Sequence, residues 1–248
     1  MPRRKSGPNN CFVPTRFERL TYQKGCARAG GAMTGISGFN AGPLPELRQV
    51  LQKWIFVNND YVRRCHGNDA PWWYIERASI STVAAAAWLA KGIALEEYTT
   101  SKTRNINRSR SVVSDRGRCD LFISVKDRHR TDRDLIVEAK IRWPSLTSGA
   151  FRKRIKDGLI AACKDVRLTH SYGGARRAGL LIVSPTIPKS QNERLEELIR
   201  EFVDFIRLQS HCAVAWTFPS VARKLCSDKR PRLYPGTAIL LRPLRRKI

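Results

Sequence analysis

The spacing of apolar residues changes several times along this chain, and the order of the changes restricts the folds that it can adopt. Apolar residues recur at intervals of three and four in some segments, which is typical of helices, and alternate or run without interruption in others, which is typical of strands. The predicted helices cover 44–65, 73–90, 151–170 and 192–209. The predicted strands cover 93–100, 119–125, 134–141, 178–185 and 212–218, with a further strand-like run at 237–241.

A helix, three strands, and then helix, strand, helix and strand is an order typical of an α/β fold. Three consecutive strands can form an antiparallel meander, whereas strand–helix–strand units favour parallel pairing through right-handed crossovers. We therefore expect a central mixed sheet, flanked by helices, within residues 43–218. Residues 1–42 are rich in Gly, Pro, Asn, Arg and Lys and are predicted to form a flexible basic arm, and 219–248 a basic C-terminal extension.

The net charge indicates the class of partner. The 248 residues include 46 Lys and Arg but 21 Asp and Glu, which gives a formal net charge of +25. Nucleic acid is the leading partner, because Lys and Arg neutralise phosphates and release counterions. An anionic membrane surface is the weaker alternative, and no apolar run reaches the roughly 18 residues that a membrane span needs. Candidate phosphate contacts are Arg104, Arg108, Arg110, Arg116, Arg118 and Lys156.

Seven cysteines are present, an odd number, and no two of them form a C-x-x-C pair. This argues against both a disulfide framework and a zinc module. Reduced thiols in a cytoplasmic protein are the better interpretation. We expect such a protein to be associated with the nucleoid if its source is prokaryotic.

Two charged residues, Glu138 and Lys140, lie inside the strongest predicted strand, 134–141. Because side chains alternate across a strand, both project from one face, and the other face is apolar. On the preceding strand, Asp120 is expected on the face opposite Cys119, Leu121 and Ile123. If the two strands pair as a hairpin, Asp120 and Glu138 meet near one edge. The alternative is a solvated sheet face with a surface ion pair, which contributes little to stability.

Two carboxylates held together repel each other and favour a divalent cation between them. Oxygen ligands are typical of Mg²⁺ or Mn²⁺. A neighbouring Lys could orient or deprotonate a water molecule, or stabilise the negative charge of a phosphorane-like transition state. This chemistry is that of phosphodiester hydrolysis.

Asp120, followed 18 positions later by Glu138-Ala139-Lys140, resembles the metal-binding motif of the PD-(D/E)XK nuclease superfamily. The resemblance covers roughly residues 72–218 and implies that superfamily's restriction-endonuclease-like fold, with an α-β-β-β-α-β core. It also implies that Asp120 and Glu138 ligate the metal, that the Ala139 carbonyl adds a backbone oxygen, and that Lys140 acts on the attacking water. The match departs from the motif at Cys119, where the superfamily has Pro.

Many members of the superfamily add a carboxylate from the helix before the first strand, and Glu76 is the candidate here. Apolar residues follow it at helical spacing, so that Glu76 is expected on the inward side of the helix. Glu96 and Glu97 are rival candidates because they are closer to the sheet in sequence. An acid at a helix N-terminus is also favoured by the helix dipole, with no metal involved.

The resemblance therefore implies a Mg²⁺-dependent endonuclease that acts on DNA, in defence against foreign DNA or in DNA processing or repair. A homodimer is the expected assembly if both strands of a duplex are cut. Two alternatives stay open: a non-catalytic nucleic-acid-binding module on the same fold, and an RNA-directed nuclease, which the arginine-rich segments would also suit.

Overall fold

A computed structural model of the chain describes the backbone of residues 35–105, 112–227 and 230–244, and the side chains of 35–102, 116–226 and 231–244. Four of its elements are α-helices that lie within the segments predicted as helices. They are α1 (Arg48–Arg64), α2 (Glu76–Leu89), α3 (Phe151–Leu168) and α4 (Leu195–Arg207). No helix in the described ranges is both long enough and apolar enough to cross a membrane.

The strands form one large sheet and one small sheet. In chain order they are β1 (Ile36–Asn40), β2 (Ile93–Asn105), β3 (Val112–Lys126), β4 (Asp132–Arg142), β5 (Arg176–Val183), β6 (Ile187–Pro188), β7 (Ala213–Phe218), β8 (Cys226–Ser227), β9 (Arg230–Leu233) and β10 (Thr237–Pro243). The large sheet has the order β1-β7-β10-β5-β4-β3-β2, and the small sheet has the order β6-β9-β8.

The large sheet is mixed, as the order of elements predicted. Strands β2, β3 and β4 form the expected antiparallel meander. Strands β4 and β5 are parallel and are connected through α3. The α/β class and the mixed sheet flanked by helices are therefore confirmed.

One predicted pairing is wrong. Strands β5 and β7 flank α4 in the sequence and were expected to pair, but β10 lies between them and is antiparallel to both. The physical reason is visible in β10 itself: Ala238 and Leu240 pack on one face of the sheet, and Ile239 and Leu241 pack on the other. A strand that is apolar on both faces belongs in the middle of a sheet.

The sheet extends beyond the predicted domain limits of 43 and 218 at both ends. Strand β1 comes from the last part of the predicted N-terminal arm, and β10 comes from the predicted C-terminal extension. The rest of the arm, residues 1–34, and the last four residues, 245–248, lie outside the described ranges.

Helices cover both faces of the large sheet. On one face, α1 and α2 pack on the inward residues of the strands, and the indole N–H of Trp54 in α1 donates to Thr82 Oγ1 in α2 at 3.0 Å. On the other face, α3 and α4 pack around Phe202. Each fully buried Leu or Phe contributes about 1.5–3 kcal/mol, so these two layers hold the strands in a fixed register.

Candidate active site

Strands β3 and β4 separate at the position of the predicted motif. Their ladder runs from the Lys126–Asp132 pair to the Leu121–Val137 pair, and no pair follows beyond it. The neighbouring ladder between β2 and β3 lacks a pair at Glu97, which has a φ of 48°. Side-chain alternation along β3 is therefore interrupted just where the two strands diverge.

This interruption corrects one expectation. Cys119 was expected on the same face as Leu121 and Ile123, with Asp120 on the opposite face. Leu121 and Ile123 do pack with α1 and α2, but Cys119 packs on the α3 face with Ile136. A regular period of two predicts faces only while the ladder is regular.

The open edge of β4 beyond Val137 is lined by two carboxylates. The Ala139 N–H donates to Asp120 Oδ2 at 2.7 Å, and the Ile141 N–H lies close enough to the Glu76 carboxylate to lower its pKa. The Ala139 N–H would otherwise be an unpaired strand donor, which is costly to leave unsatisfied. Asp120 and Glu76 therefore lie along one edge, on either side of Lys140 in the sequence of β4.

Glu138 is buried on the α3 side of β4. Its side chain is 3% exposed, and its Oε1 lies 2.8 Å from Lys102 Nζ and 2.7 Å from Thr169 Oγ1. Burial raises the pKa of Glu138, and the charge of Asp120 adds to the increase, whereas Lys102 and Thr169 oppose it. The alternative of a solvated sheet face is therefore wrong for this residue.

Lys140 also faces α3, where its Nζ lies 2.7 Å from Asp165 Oδ2. Burial opposes the protonated form, but Asp165, Glu76 and Asp120 outweigh it and hold the pKa of Lys140 above its ordinary value. Lys140 is thus protonated at neutral pH. It can donate hydrogen bonds and offset negative charge, but it is not a general base in this state.

Glu76 begins α2 and is half-buried. Burial raises its pKa, and the nearby charge of Asp120 raises it further, while Lys140, the Ile141 N–H and Arg142 lower it. Because Asp120 raises the pKa of both Glu76 and Glu138, it stands within electrostatic range of both. Asp120, at the divergence of β3 and β4, is therefore the acid whose charge acts on Glu76, Glu138 and Lys140 alike.

These residues fit a hard divalent cation by their chemistry, but not as a preformed cage. Carboxylate oxygens and the Ala139 carbonyl are the donors that Mg²⁺ and Mn²⁺ prefer. Among the side chains that the structure describes, no three of the His, Cys, Asp and Glu type are close enough to hold a metal ion as they stand. In this arrangement the Glu138 carboxylate is paired with Lys102.

The rival acids have other partners. Glu96 accepts a hydrogen bond from Ser81 Oγ at 2.8 Å, and Glu97 pairs with Arg77 and Arg118. Both therefore belong to a surface network on α2 and β2 rather than to the edge of β4. Glu76 remains the better candidate for an additional acid.

The candidate phosphate contacts are only partly described. Arg116, Arg118 and Lys156 are exposed, and Arg118 is in contact with Glu97. Arg104 lies in β2 without a described side chain, and Arg108 and Arg110 lie outside the described residues.

Sequence reasoning did not find Lys102, Thr169 or Asp165. Lys102 lies in a segment so basic that no single Lys stands out, whereas Asp165 lies near the end of α3 and Thr169 directly follows that helix. Their contacts with β4 depend on how α3 crosses the sheet. An isolated β-bridge between Lys102 and Thr169 fixes that arrangement.

Lys102→Met is expected to lower the free energy of unfolding by about 2 kcal/mol near neutral pH, because a buried carboxylate loses its charged partner. Without Lys102 the pKa of Glu138 rises further. When folding raises the pKa of a carboxyl group, the free energy of unfolding falls as the pH rises through that pKa. The deficit of Lys102→Met relative to the wild type therefore grows with pH, and it vanishes at low pH, where Glu138 is protonated in both proteins. Urea unfolding of both proteins over a pH series measures this deficit in the free energy of unfolding.

The matched control is Lys153→Met on α3. Lys153 pairs with Asp157 at 2.6 Å, but their side chains are 78% and 54% exposed. Such a surface pair should leave no measurable deficit at any pH. A Lys102→Met deficit that does not change with pH would contradict the assigned role of Lys102.

No family model, curated protein or solved structure matches this chain. The resemblance to the PD-(D/E)XK superfamily therefore depends on Asp120, on Glu138-Ala139-Lys140 and on the elements that carry them.

Proposed function

We propose that this chain is a metal-dependent endonuclease that hydrolyses DNA phosphodiester bonds on a restriction-endonuclease-like fold. One observation carries the proposal: Asp120 accepts the Ala139 N–H at the open edge of β4, and Glu76 lies close enough to the Ile141 N–H of the same edge for it to lower the Glu76 pKa, so that the two carboxylates flank Lys140 in the sequence of β4. The charge of Asp120 raises the pKa of Glu76 and of Glu138, and such a group of carboxylates beside a protonated Lys is suited to a divalent cation and a phosphate.

Each residue would have a distinct role. Asp120, Glu138 and the Ala139 carbonyl, with Glu76, would hold Mg²⁺ or Mn²⁺. The bound cation would polarise the phosphate and lower the pKa of a water molecule. Lys140 would donate hydrogen bonds to that water or to a phosphate oxygen, where it offsets charge as the new P–O bond forms and the bond to the leaving oxygen breaks.

Lys102 and Thr169 both contact Glu138 Oε1, so a cation would compete with Lys102 for that oxygen. The raised pKa of Glu138 indicates that its carboxylate is incompletely stabilised despite Lys102 and Thr169. A divalent cation would interact more strongly with it than the single charge of Lys102 does. This exchange is favoured further by Asp120, whose charge the cation would also neutralise.

A non-catalytic nucleic-acid-binding module is the second candidate, and the same contact favours it. In the observed arrangement Lys102 already neutralises Glu138, as expected for a site that works without metal. The net charge of +25 would serve either candidate.

Incubation of the full chain with supercoiled plasmid, in Mg²⁺, in Mn²⁺ and in EDTA, tests the proposal. We expect nicking or linearisation with either metal and none in EDTA, and a loss of cleavage in Glu138→Ala and Lys140→Ala. Cleavage that persists in EDTA, or in both variants, would overturn the proposed site.

Parallel reactions separate the alternatives. A single-stranded RNA offered under the same conditions distinguishes a ribonuclease from a deoxyribonuclease. Lys153→Ala removes an exposed Lys of α3 and should cleave as the wild type does. Binding without cleavage in every metal would favour the non-catalytic module.

A further inference from the structure

Exposed aromatic rings border the candidate site on two elements. Tyr74 is 50% exposed and lies two residues before Glu76, and Trp143 is 39% exposed and lies just after β4. The Ile141 N–H lies close enough to Glu76 to lower its pKa, and Trp143 follows two residues, about 7 Å, further along the strand direction. The Trp143 indole N–H donates to the carbonyl of Trp72, two residues before Tyr74, so both residues lie near the start of α2, which carries Glu76.

Both rings are held by their polar ends and not by burial. Tyr74 Oη donates to Asp69 Oδ2 at 3.0 Å, and the Trp143 indole N–H donates to the Trp72 carbonyl at 3.4 Å. Tyr61 donates to the same Asp69 oxygen at 2.7 Å, which fixes that carboxylate. The rings are thus oriented in advance while much of their surface remains open to solvent.

The net positive charge of the chain indicates which ligand such rings would bind. Exposed aromatic rings beside cationic groups stack well on unpaired bases, whose phosphates the basic residues attract. An intact duplex keeps its base faces stacked within the helix and cannot offer them. Arg142 lies between Ile141 and Trp143, close enough to Glu76 to lower its pKa, and adds positive charge at this position.

We propose that Tyr74 and Trp143 form a stacking platform for unpaired bases, so that the preferred substrate is single-stranded DNA or a duplex with an unpaired end. The substrate preference rests on the proposed nuclease function, whereas binding of unpaired bases to the two rings needs no metal. A stacked base would place the adjoining phosphodiester next to Glu76 and Lys140.

Fluorescence anisotropy in EDTA tests the platform without any cleavage. The probes are a labelled single-stranded DNA of about 12 nucleotides, which suits one binding site of this kind, and the blunt duplex of the same sequence. We expect tighter binding of the single strand, a loss of about 5- to 150-fold in Trp143→Ala and in Tyr74→Ala, and substantial recovery in Trp143→Phe.

Trp88→Ala is the matched control. Trp88 is 56% exposed but lies near the other end of α2, roughly 18 Å from Glu76 along the helix. It should bind as the wild type does. Equal affinity for single strand and duplex, or unchanged affinity in both Trp143→Ala and Tyr74→Ala, would overturn the platform.

The same proteins with Mg²⁺ and plasmid report separately on the nuclease. If the wild type does not cleave plasmid but still binds the single strand more tightly than the duplex, the nuclease proposal is refuted and the platform is kept. If the wild type cleaves plasmid but neither Tyr74→Ala nor Trp143→Ala weakens binding of the single strand, the nuclease proposal is kept and the platform is refuted. A single-stranded RNA that binds more tightly than the DNA, with the same dependence on the rings, would keep the platform and overturn the choice of DNA.

Discussion

Asp120→Asn is expected to lower metal-dependent DNA cleavage by at least about 100-fold, since changes in groups that only support a metal ligand already cost 10- to 100-fold. The substitution is nearly isosteric, and the Asn carbonyl oxygen can still accept the Ala139 N–H at the position of Asp120 Oδ2. The free energy of unfolding should therefore stay within about 1 kcal/mol of the wild-type value. Initial rates on plasmid and urea unfolding in EDTA measure the two quantities.

Two further variants separate chemistry from structure. Asp120→Ala removes the acceptor as well as the charge, and should cost about 1–3 kcal/mol of stability because the Ala139 N–H is left unpaired. Asp157→Asn changes an exposed carboxylate on α3 and should affect neither cleavage nor stability. If Asp120→Asn cleaves DNA as the wild type does, Asp120 is not a metal ligand.

The face of the sheet on which each side chain of a regular strand lies could be predicted from the sequence, because side chains alternate between the two faces. In β4, Leu135, Val137, Ala139 and Ile141 do pack on the α1–α2 face, as alternation predicts. Glu138 projects toward the opposite face, where Thr169 contacts it. The same rule failed at Cys119, beside the irregular part of the ladder, since the sequence carries no mark of that irregularity.

The environment of Glu138 could not be read in this way. Its partners Lys102 and Thr169 are 36 and 31 positions away, and an isolated β-bridge between Lys102 in β2 and Thr169 after α3 brings them together. Whether a carboxylate is bound to a metal or to a lysine depends on such tertiary contacts. The sequence therefore predicted the face from which Glu138 projects, but not that Glu138 is paired with Lys102.

The position of β10 was missed for a related reason. Its apolar run was recognised, but β10 pairs with β5 and β7, which lie earlier in the chain. Sequential order favours neighbours that are close in the chain, and a strand that returns from the C-terminus violates that expectation.

Gly179→Ala is expected to destabilise the protein by about 3 kcal/mol, the upper range for inserting a group into a packed interior. Gly179 lies in β5 opposite Glu138, and a Cβ there would stand 2.6 Å from the Cys163 backbone N and 2.9 Å from the Ala162 backbone C. Backbone atoms cannot rotate away, so α3 would have to move outward. For a chain of this size the melting temperature should fall by roughly 6–12 °C.

The displacement of α3 would also reach the candidate site, because α3 and the residue that follows it carry Asp165 and Thr169, the partners of Lys140 and Glu138. Cleavage per folded molecule should therefore fall in Gly179→Ala, at a temperature where the variant is still folded. Gly149→Ala is the control: no atom lies within 4 Å of a Cβ at that position. It should leave stability unchanged or raise it slightly. If Gly179→Ala were as stable as Gly149→Ala, close packing of α3 on β5 would not be what positions Asp165 and Thr169 over β4.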